Sequence, residues 1–266
     1  MGLFPRLTLH TVGTTGERMI QIVNLMKSFG PQRVLDNVTL QVNHGELLAI
    51  IGESGGGKSV LLKHLIGLLR PDKGKVLIEG EDITKLRGSG LDRIREKFGV
   101  VFQGGALFDS LTVYENIAFP LREKTRLPEA VVRENVEEAL EDVGLKGVEK
   151  KYPAEISGGM KKRVALARAL ITEPKIVLFD EPTTGLDPIM LHTIHKLITD
   201  THRKYRFTGV MISHDIPEIF HVVDRIAFLY KGTIEVVGTP KEIRASTDPV
   251  VHQFITGSLR GPIEVA

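Results

Sequence analysis

The sequence predicts an α/β protein with a mainly parallel β-sheet, an antiparallel β part near its start and an inserted group of helices. Apolar runs at 47–51, 176–179 and 209–212 have the length and composition of strands buried on both faces. Helical patterns follow these runs along the chain, and strands that alternate with helices are typical of parallel sheets. The 266 residues suffice for one large domain or two modest ones.

Composition narrows the possible classes of function. Hydrophobic residues make up 42% and charged residues 26% of the chain, which is ordinary for a globular protein and excludes disorder throughout. The 35 basic and 33 acidic residues leave a net charge of +2, which is too balanced to indicate a nucleic-acid partner. Because the chain has no cysteine, disulfides, thiolate metal sites and a cysteine nucleophile are excluded.

The first predicted elements are a leader and two strands. Residues 1–18 contain no long apolar run and are predicted to be a polar leader. Apolar and polar residues alternate at 20–23 and 38–42, which indicates strands. A helix is expected from Ser59, where apolar residues recur at helical spacing. Later elements are expected as strands at 76–80 and 98–102, a helix at 160–171 and a hairpin over 226–237 that turns at Lys231-Gly232.

A helical insert is predicted between the strands at 98–102 and 176–179. After Pro128, which suits a first helical position, apolar residues recur on one face until Gly144 ends the pattern. The simplest interpretation of this helix is a solvated amphipathic face. The expected organisation is a main domain over 19–240 with a helical subdomain at about 104–160, followed by a C-terminal tail at 241–266.

The strongest motif stands between the apolar strand at 47–51 and the helix that follows. It fits G-x-x-x-x-G-K-[ST], in which glycines let backbone N–H groups approach phosphate oxygens at a helix N-terminus. Lys58 is expected to reach the β- and γ-phosphates, and Ser59 to bind Mg²⁺. The alternative is a glycine-rich turn that merely ends a strand. The predicted nucleotide-binding residues of this phosphate loop are Gly52, Glu53, Ser54, Gly55, Gly56, Gly57, Lys58 and Ser59.

Two acidic residues follow the strand at 176–179. Asp180 stands at the strand end, where a Mg²⁺-binding carboxylate belongs in a nucleotide-binding fold. Glu181, the next residue, is the candidate general base for an attacking water. Taken alone, the pair is more often a cap or a turn before Pro182, but the phosphate loop favours the catalytic interpretation.

The segment Ser157-Gly158-Gly159 indicates a second anion site. Ser157 is a good N-cap for the helix expected from 160, and two glycines precede its first turn. An ordinary capped helix would show the same residues. Since one nucleotide cannot occupy two distant cradles, two cradles in one chain suggest that a second copy completes each site.

Three further candidates are single residues. His214 ends the strand at 209–213, and strand ends converge on the ligand in this architecture, although a lone histidine more often lies on the surface or in the core. Gln103 follows the strand at 98–102, where it could instead pair only with the backbone. Phe29 could stack on a base, although a core phenylalanine is the more common case.

As an ordered set these residues resemble one family, the ATP-binding-cassette ATPases of membrane transporters. The resemblance covers about residues 20–240 and includes 156–160, 176–181 and 185–187. It implies a P-loop fold with a RecA-like core, hydrolysis of ATP with Mg²⁺, and two copies that close head to tail around two MgATP. A permease would hold the protein at the cytoplasmic face of the inner membrane, and no nucleic acid is expected as a partner.

The resemblance also implies a role for each residue outside the phosphate loop. Phe29 would stack on adenine, and Gln103 would sense Mg²⁺ and the catalytic water while linking the site to the permease. The Ser157–Gly159 segment would contact the γ-phosphate held by the partner copy, and Asp187 would cross the dimer interface. His214 would contact the γ-phosphate and hold the attacking water. The expected catalytic residues are therefore Glu181, His214 and Gln103, and the expected metal-binding residues are Ser59, Gln103 and Asp180.

A finer similarity concerns the cargo. The segments 102–123 and 248–262 are similar to those of the ATPases of MCE-linked lipid transporters. That similarity implies a phospholipid cargo, maintenance of outer-membrane lipid asymmetry, and an MCE-domain protein and a STAS-domain protein as partners beside the permease. The alternatives are an importer of a small polar solute, a soluble cassette protein acting on ribosomes or DNA, and a binding-only protein. The last two are disfavoured, because the chain has one motif set without a basic excess and retains Lys58, Asp180, Glu181 and His214.

Overall fold

The structure, a computed structural model, describes residues 17–263. The polar leader expected at 1–18 thus lies outside the described residues except for its last two positions, and the first strand already begins at Arg18. The strands are β1 (Arg18–Phe29), β2 (Gln32–Asn43), β3 (Leu47–Ile51), β4 (Lys73–Ile78), β5 (Glu81–Asp82), β6 (Phe98–Val101), β7 (Ile176–Asp180), β8 (Thr208–Ile212), β9 (Arg225–Tyr230) and β10 (Thr233–Gly238). The α-helices are α1 (Lys58–Leu65), α2 (Ser89–Arg95), α3 (Val113–Lys124), α4 (Glu129–Asp142), α5 (Gly158–Leu170), α6 (Pro188–Tyr205), α7 (Pro240–Arg244) and α8 (Pro249–Thr256).

The strands form two sheets. The first is antiparallel, with the order β2-β1-β4-β5, and the second has the order β10-β9-β3-β8-β7-β6. Within the second sheet β9, β3, β8, β7 and β6 are parallel neighbours, whereas β10 pairs antiparallel with β9. The predicted fold class is therefore confirmed, including its antiparallel part near the start.

The central strand β3 is buried on both faces. Leu47, Ala49 and Ile51 pack into the core shared with the helices of the insert, α6 and the C-terminal helices. Leu48 and Ile50 point to the other side, into the core shared with α1 and the antiparallel sheet. Because successive side chains of a strand point to opposite faces, a wholly apolar run is required here, and Gly52 follows at its carboxyl end.

Most predicted elements are confirmed with shifted ends. The helix expected from Ser59 begins at Lys58, and the helix expected from 160 begins at Gly158, directly after its cap Ser157. The strand expected at 76–80 instead spans Lys73–Ile78, because its residues pair antiparallel with β1 as far as Lys73, opposite Met26. Pairing between distant segments decided that boundary.

The insert between β6 and β7 contains α3, α4 and α5. A capping box begins α3, in which Thr112 and Glu115 bond each other's backbone N–H groups. Pro128 is the N-cap of α4, one position before the predicted one, and Val132, Val136 and Leu140 are buried as the apolar pattern indicated.

The C-terminal segment packs on the second sheet. Ile243 of α7 and Val251 of α8 are buried, and the rings of Phe254 and Phe228 lie 5.0 Å apart between centroids. The domain boundary expected at 240 falls inside α7. No helix within 17–263 has both the length and the apolar character that crossing a membrane requires.

Candidate functional site

The predicted site residues follow neighbouring parallel strands. The phosphate loop follows β3, His214 lies just beyond β8, Glu181 follows β7 and Gln103 lies just beyond β6, and these strands are adjacent in the order β3-β8-β7-β6. Since parallel strands end at the same edge of a sheet, side chains separated by more than a hundred residues meet there.

Two glycines of the phosphate loop lie against backbone of other strands. A Cβ on Gly52, where φ is +152°, would lie 2.1 Å from the carbonyl oxygen of Leu229. A Cβ on Gly57, where φ is +97°, would lie 2.9 Å from a methyl of Leu35 and 3.0 Å from the carbonyl oxygen of Val34. Any side chain at either position would displace the loop, and no side chain among residues 17–263 caps α1, whose N-terminal N–H groups face the loop.

Lys58 lies folded over this loop. Its Nζ donates to the carbonyl oxygens of Gly52, at 2.9 Å, and Glu53, at 2.8 Å. Burial lowers the pKa of Lys58, while the carboxylates of Glu181, Asp180 and Glu53 act in the opposite direction. The loop therefore holds a buried cation at the N-terminus of α1. The ammonium and the free helix N–H groups both favour the binding of an anion.

Ser59 and Asp180 form the second part of the site. The Ser59 hydroxyl donates to Oδ1 of Asp180 at 3.2 Å. Burial raises the pKa of Asp180, and the bond from Ser59 opposes that rise. A hydroxyl and one carboxylate suit Mg²⁺, which is usually held by one or two protein oxygens together with phosphate oxygens and water. Across the described part of the chain, no three acidic, histidine or cysteine side chains are grouped to hold a metal by themselves.

The carboxylate of Glu181 is surrounded by three polar side chains. Its Oε2 accepts from Nε2 of Gln103 at 3.0 Å and from the Thr184 hydroxyl at 3.1 Å, and Nδ1 of His214 lies 3.5 Å away. The backbone of Glu181 has a left-handed φ of 49°, and its N–H donates to Ile212 of β8 at 3.1 Å. The structure thus brings all three expected catalytic residues together.

Gln103 lies beside the candidate base rather than beside the candidate metal ligands. Within residues 17–263 its side-chain amide bonds Glu181, and no hydrogen bond joins it to Ser59 or Asp180. Its expected metal contact therefore has no counterpart in this conformation, because the amide points along the sheet edge toward β7.

Sequence reasoning missed a layer of residues behind Glu181 and His214. Asp215 accepts hydrogen bonds from the hydroxyls of Thr183 and of Ser213, the second at 3.5 Å, and both hydroxyl residues are buried. Lys162 of α5 is also buried, and its Nζ donates to the carbonyl oxygen of Gln103. For Thr183, Ser213 and Asp215, the only signal in the sequence was their position next to Glu181 and His214. For Lys162, the sequence contained no signal.

Three predicted features, at Ser157, Asp187 and Phe29, make no hydrogen bond to the phosphate loop within the described residues. Ser157 caps α5 through a bond from the Met160 N–H at 3.3 Å, and Asp187 caps α6 through bonds from 189 and 190 at 3.0 and 3.1 Å. The two caps are neighbours, since a Cβ on Gly159 would lie 2.2 Å from Cε of Met190. Phe29 is 46% exposed, so the core interpretation of this ring is wrong.

Comparison with known proteins identifies the family of this chain. The family model described as ABC transporter matches residues 35–184. The probable ribonucleotide transport ATP-binding protein mkl of Mycobacterium leprae is 46% identical, over 92% of this chain and 70% of its own length. The intermembrane phospholipid transport system ATP-binding protein MlaF of Haemophilus influenzae is 39% identical, over 93% of this chain and 94% of its own length.

A plant relative and a solved structure complete the comparison. The chloroplastic protein TRIGALACTOSYLDIACYLGLYCEROL 3 of Arabidopsis thaliana is 44% identical, over 92% of this chain and 75% of its own length. A dimeric ATP-binding cassette solved in a post-hydrolysis state with ADP and Pi is 33% identical and superposes with a TM-score of 0.76, over 84% of this chain and 99% of that one. With this family match and these relatives, the chain belongs to the ABC transporter family as an ATP-hydrolysing subunit similar to MlaF.

Proposed function

We propose that the edge formed by β3, β8, β7 and β6 is the MgATP hydrolysis site and that it works only between two copies of this chain. The observation that carries the proposal is the convergence on one oxygen, Oε2 of Glu181, of Gln103, Thr184 and His214. The site lies beside a phosphate loop whose lysine and serine are already in place.

The proposed chemistry follows from the residues. Lys58 exchanges its two loop carbonyls for β- and γ-phosphate oxygens, which compensate a buried ammonium better than carbonyl dipoles do. Ser59 and Asp180 would hold Mg²⁺, which would neutralise phosphate charge when bound. Glu181 takes the proton of the attacking water, while Gln103 and His214 hold that water in line with the γ-phosphate. Phe29, whose ring is exposed, stacks on adenine.

In this proposal the second copy supplies the N-termini of α5 and α6, which make no hydrogen bond to the phosphate loop of their own chain. Ser157 and Gly158 are exposed at the N-terminus of α5, where helix N–H groups favour an anion. The N-terminus of α6, which Asp187 caps, lies beside the N-terminus of α5, because the side chain of Met190 packs against Gly159. Closure would bring both against the γ-phosphate of the facing chain and exclude water. The dimeric form of the similar cassette supports this arrangement.

The proposed cargo is phospholipid, moved to maintain outer-membrane lipid asymmetry by a permease that holds this protein at the cytoplasmic face of the inner membrane. Support comes from the similarity to MlaF and from the plant relative, both of which span nearly all of this chain. On this proposal an MCE-domain protein and a STAS-domain protein complete the assembly. The name of the mycobacterial relative favours a second candidate, a ribonucleotide or another small polar solute.

The ATPase assignment is tested with Glu181→Gln, which keeps the shape of the side chain and removes the base. We expect ATP binding to persist, ATP-stabilised pairs to accumulate, and turnover to fall by at least ~10²-fold. Glu137→Gln, on the exposed face of α4, is the matched control. Near-normal hydrolysis by Glu181→Gln would contradict the assignment.

The cargo is tested by purifying the intact complex from detergent-solubilised membranes and identifying its partners by mass. Recovery of a permease with an MCE-domain protein and bound phospholipid supports the lipid proposal. Recovery of a solute-importer permease without an MCE-domain protein overturns the lipid assignment and leaves the ATPase assignment in place.

A further inference from the structure

Lys162 connects three parts of the site that belong to different elements. It lies in the second turn of α5, 9% exposed, and its ammonium donates to the backbone carbonyl of Gln103. The side chain of Gln103 in turn donates to Glu181 at 3.0 Å. One lysine thus joins the helix capped by Ser157 to the residue that contacts the candidate base.

A second cation of α5 holds the same segment. Arg168 donates to the carbonyl oxygens of Gly105 and Ala106, each at 2.8 Å. Ala106 has a left-handed φ of 48°, an uncommon conformation for a residue with a side chain. The backbone from Gln103 to Ala106 is therefore fastened to α5 at three carbonyls, whereas the Gln103 side chain bonds Glu181, which follows β7.

The lysine contributes more than a structural contact. Burial lowers the pKa of Lys162, and the carboxylate of Glu181 is the charge that acts against this shift. Gln103 itself is exposed, so water could replace the lysine at its carbonyl. Burying an ammonium for a bond that water could make costs stability, which indicates a role in the reaction rather than in folding.

We propose that Lys162 is a positioning residue for hydrolysis: it sets the placement of the Gln103 side chain on Glu181 and transmits any displacement of α5 to that contact. This inference rests on the proposed roles of Gln103 and Glu181. Because α5 also carries the Ser157 cap, the arrival of a facing nucleotide at the helix N-terminus would reposition Gln103 through this lysine.

The test compares three variants of the full chain: Lys162→Met, which keeps length without charge, Lys162→Arg, which keeps the cation, and Lys161→Met as a control one residue away. For Lys162→Met we expect kcat to fall about tenfold with KM for ATP within about twofold of wild type, as mispositioning of a catalytic group predicts. The Tm should stay within about 3 °C of wild type, because water can satisfy the freed carbonyl. Lys162→Arg should restore most of kcat.

A double variant separates positioning from other effects. If Lys162 acts through Gln103, Lys162→Met should cause no further loss of kcat in a Gln103→Ala background. Wild-type kcat in Lys162→Met, a loss that adds fully to that of Gln103→Ala, or a large fall in Tm with unchanged kcat would overturn the proposal. If instead the proposed site is wrong, Glu181→Gln keeps its activity, so the two failures give different results.

Discussion

The hydroxyl of Ser59 lies 3.2 Å from Oδ1 of Asp180, although the two residues are 121 positions apart. Ser59 stands in the first turn of α1 and Asp180 ends β7. Neither can bind a metal ion firmly alone, but a hydroxyl and a carboxylate at this distance can share one Mg²⁺ with phosphate oxygens. If this pair binds Mg²⁺ as proposed, the contact between α1 and β7 sets the position of the metal ion.

Replacing Lys58 by alanine should remove the charge that the phosphate loop holds over its helix N-terminus. We expect nucleotide affinity, turnover or both to fall, with turnover reduced by about 10²-fold, because electrostatic partners of transferring phosphates contribute strongly in buried sites. The measurements are nucleotide binding by fluorescence and phosphate release. Lys196→Ala, at an exposed position of α6, is the control. Unchanged binding and hydrolysis in Lys58→Ala would refute the phosphate-loop assignment.

Complementation between two inactive variants tests the shared site. Ser157→Arg fills the anion cradle with bulk, and Lys58→Ala disables the loop. If Ser157 acts on the nucleotide of the facing chain, each mixed pair contains one intact site, formed by Lys58 of one chain and Ser157 of the other. Mixing the two inactive proteins should therefore restore part of the activity. No recovery on mixing, together with a wild-type protein that is strictly monomeric by light scattering and hydrolyses ATP at a rate linear in its concentration, would show that one chain hydrolyses ATP alone.

Asp215→Asn should slow ATP hydrolysis, although we expect no contact between residue 215 and the nucleotide. Asp215 receives hydrogen bonds from Thr183 and Ser213, so it ties the loop after Glu181 to the end of β8 that carries His214. Loss of the negative charge weakens both bonds, and we expect kcat to fall about tenfold with KM for ATP little changed. Asp200→Asn, on the side of α6 where the carboxylate is 43% exposed and pairs with Lys196, is the control. Equal kcat in the two variants would rule out this role.

Phe108→Asp should detach the protein from its permease. Phe108 is 45% exposed and contacts Phe119, 39% exposed, at 5.0 Å between ring centroids. The neighbouring Leu107 instead packs against the core, so its substitution would confound docking with folding. Such an exposed aromatic pair suits an apolar helix of a partner. Pull-down from solubilised membranes should lose the permease while basal hydrolysis by the purified protein persists. Full retention of the permease by Phe108→Asp would place the docking surface elsewhere.

Acid should destabilise the protein partly through His195. This side chain is 4% exposed, and its Nε2 has no partner within the described residues. Burial lowers its pKa, Asp215 and Glu218 oppose that shift, and His192 adds to it. The unfolded chain therefore takes up a proton near the ordinary histidine value of 6.5, whereas the folded chain does so only at lower pH. The free energy of unfolding thus falls as pH drops below that value.

The check is the Tm of His195→Leu between about pH 7.5 and 5.5. Its loss of Tm on acidification should be smaller than that of the wild type. Some loss should remain, because burial lowers the pKa of His64 as well. His252→Leu, at an exposed position of α8, should behave like the wild type. Identical acid sensitivity in His195→Leu and the wild type would show that His195 does not contribute.

Local sequence was enough to predict the phosphate loop between β3 and α1 and the polar residues that follow the buried strands. The motif from Gly52 to Ser59 can be recognised in the sequence because only glycine fits at positions 52 and 57, where a Cβ would collide with Leu229 or Val34. The strands β3, β7 and β8 can be recognised as apolar runs because strands buried on both faces exclude polar residues. Residues that must lie at strand ends, such as Asp180 and His214, followed from those runs.

Tertiary structure alone decided the contacts that have no local pattern. The start of β4 depends on pairing with β1, and the exposure of Phe29 depends on its place at the tip of the β1–β2 hairpin, where it pairs with Gln32. Lys162 and Asp215 gained their partners from segments 59 and 32 residues away, Gln103 and Thr183. A lysine on a helix or an aspartate after a strand is ordinary in sequence, since hydrogen bonds between distant segments depend on how helices and strands pack.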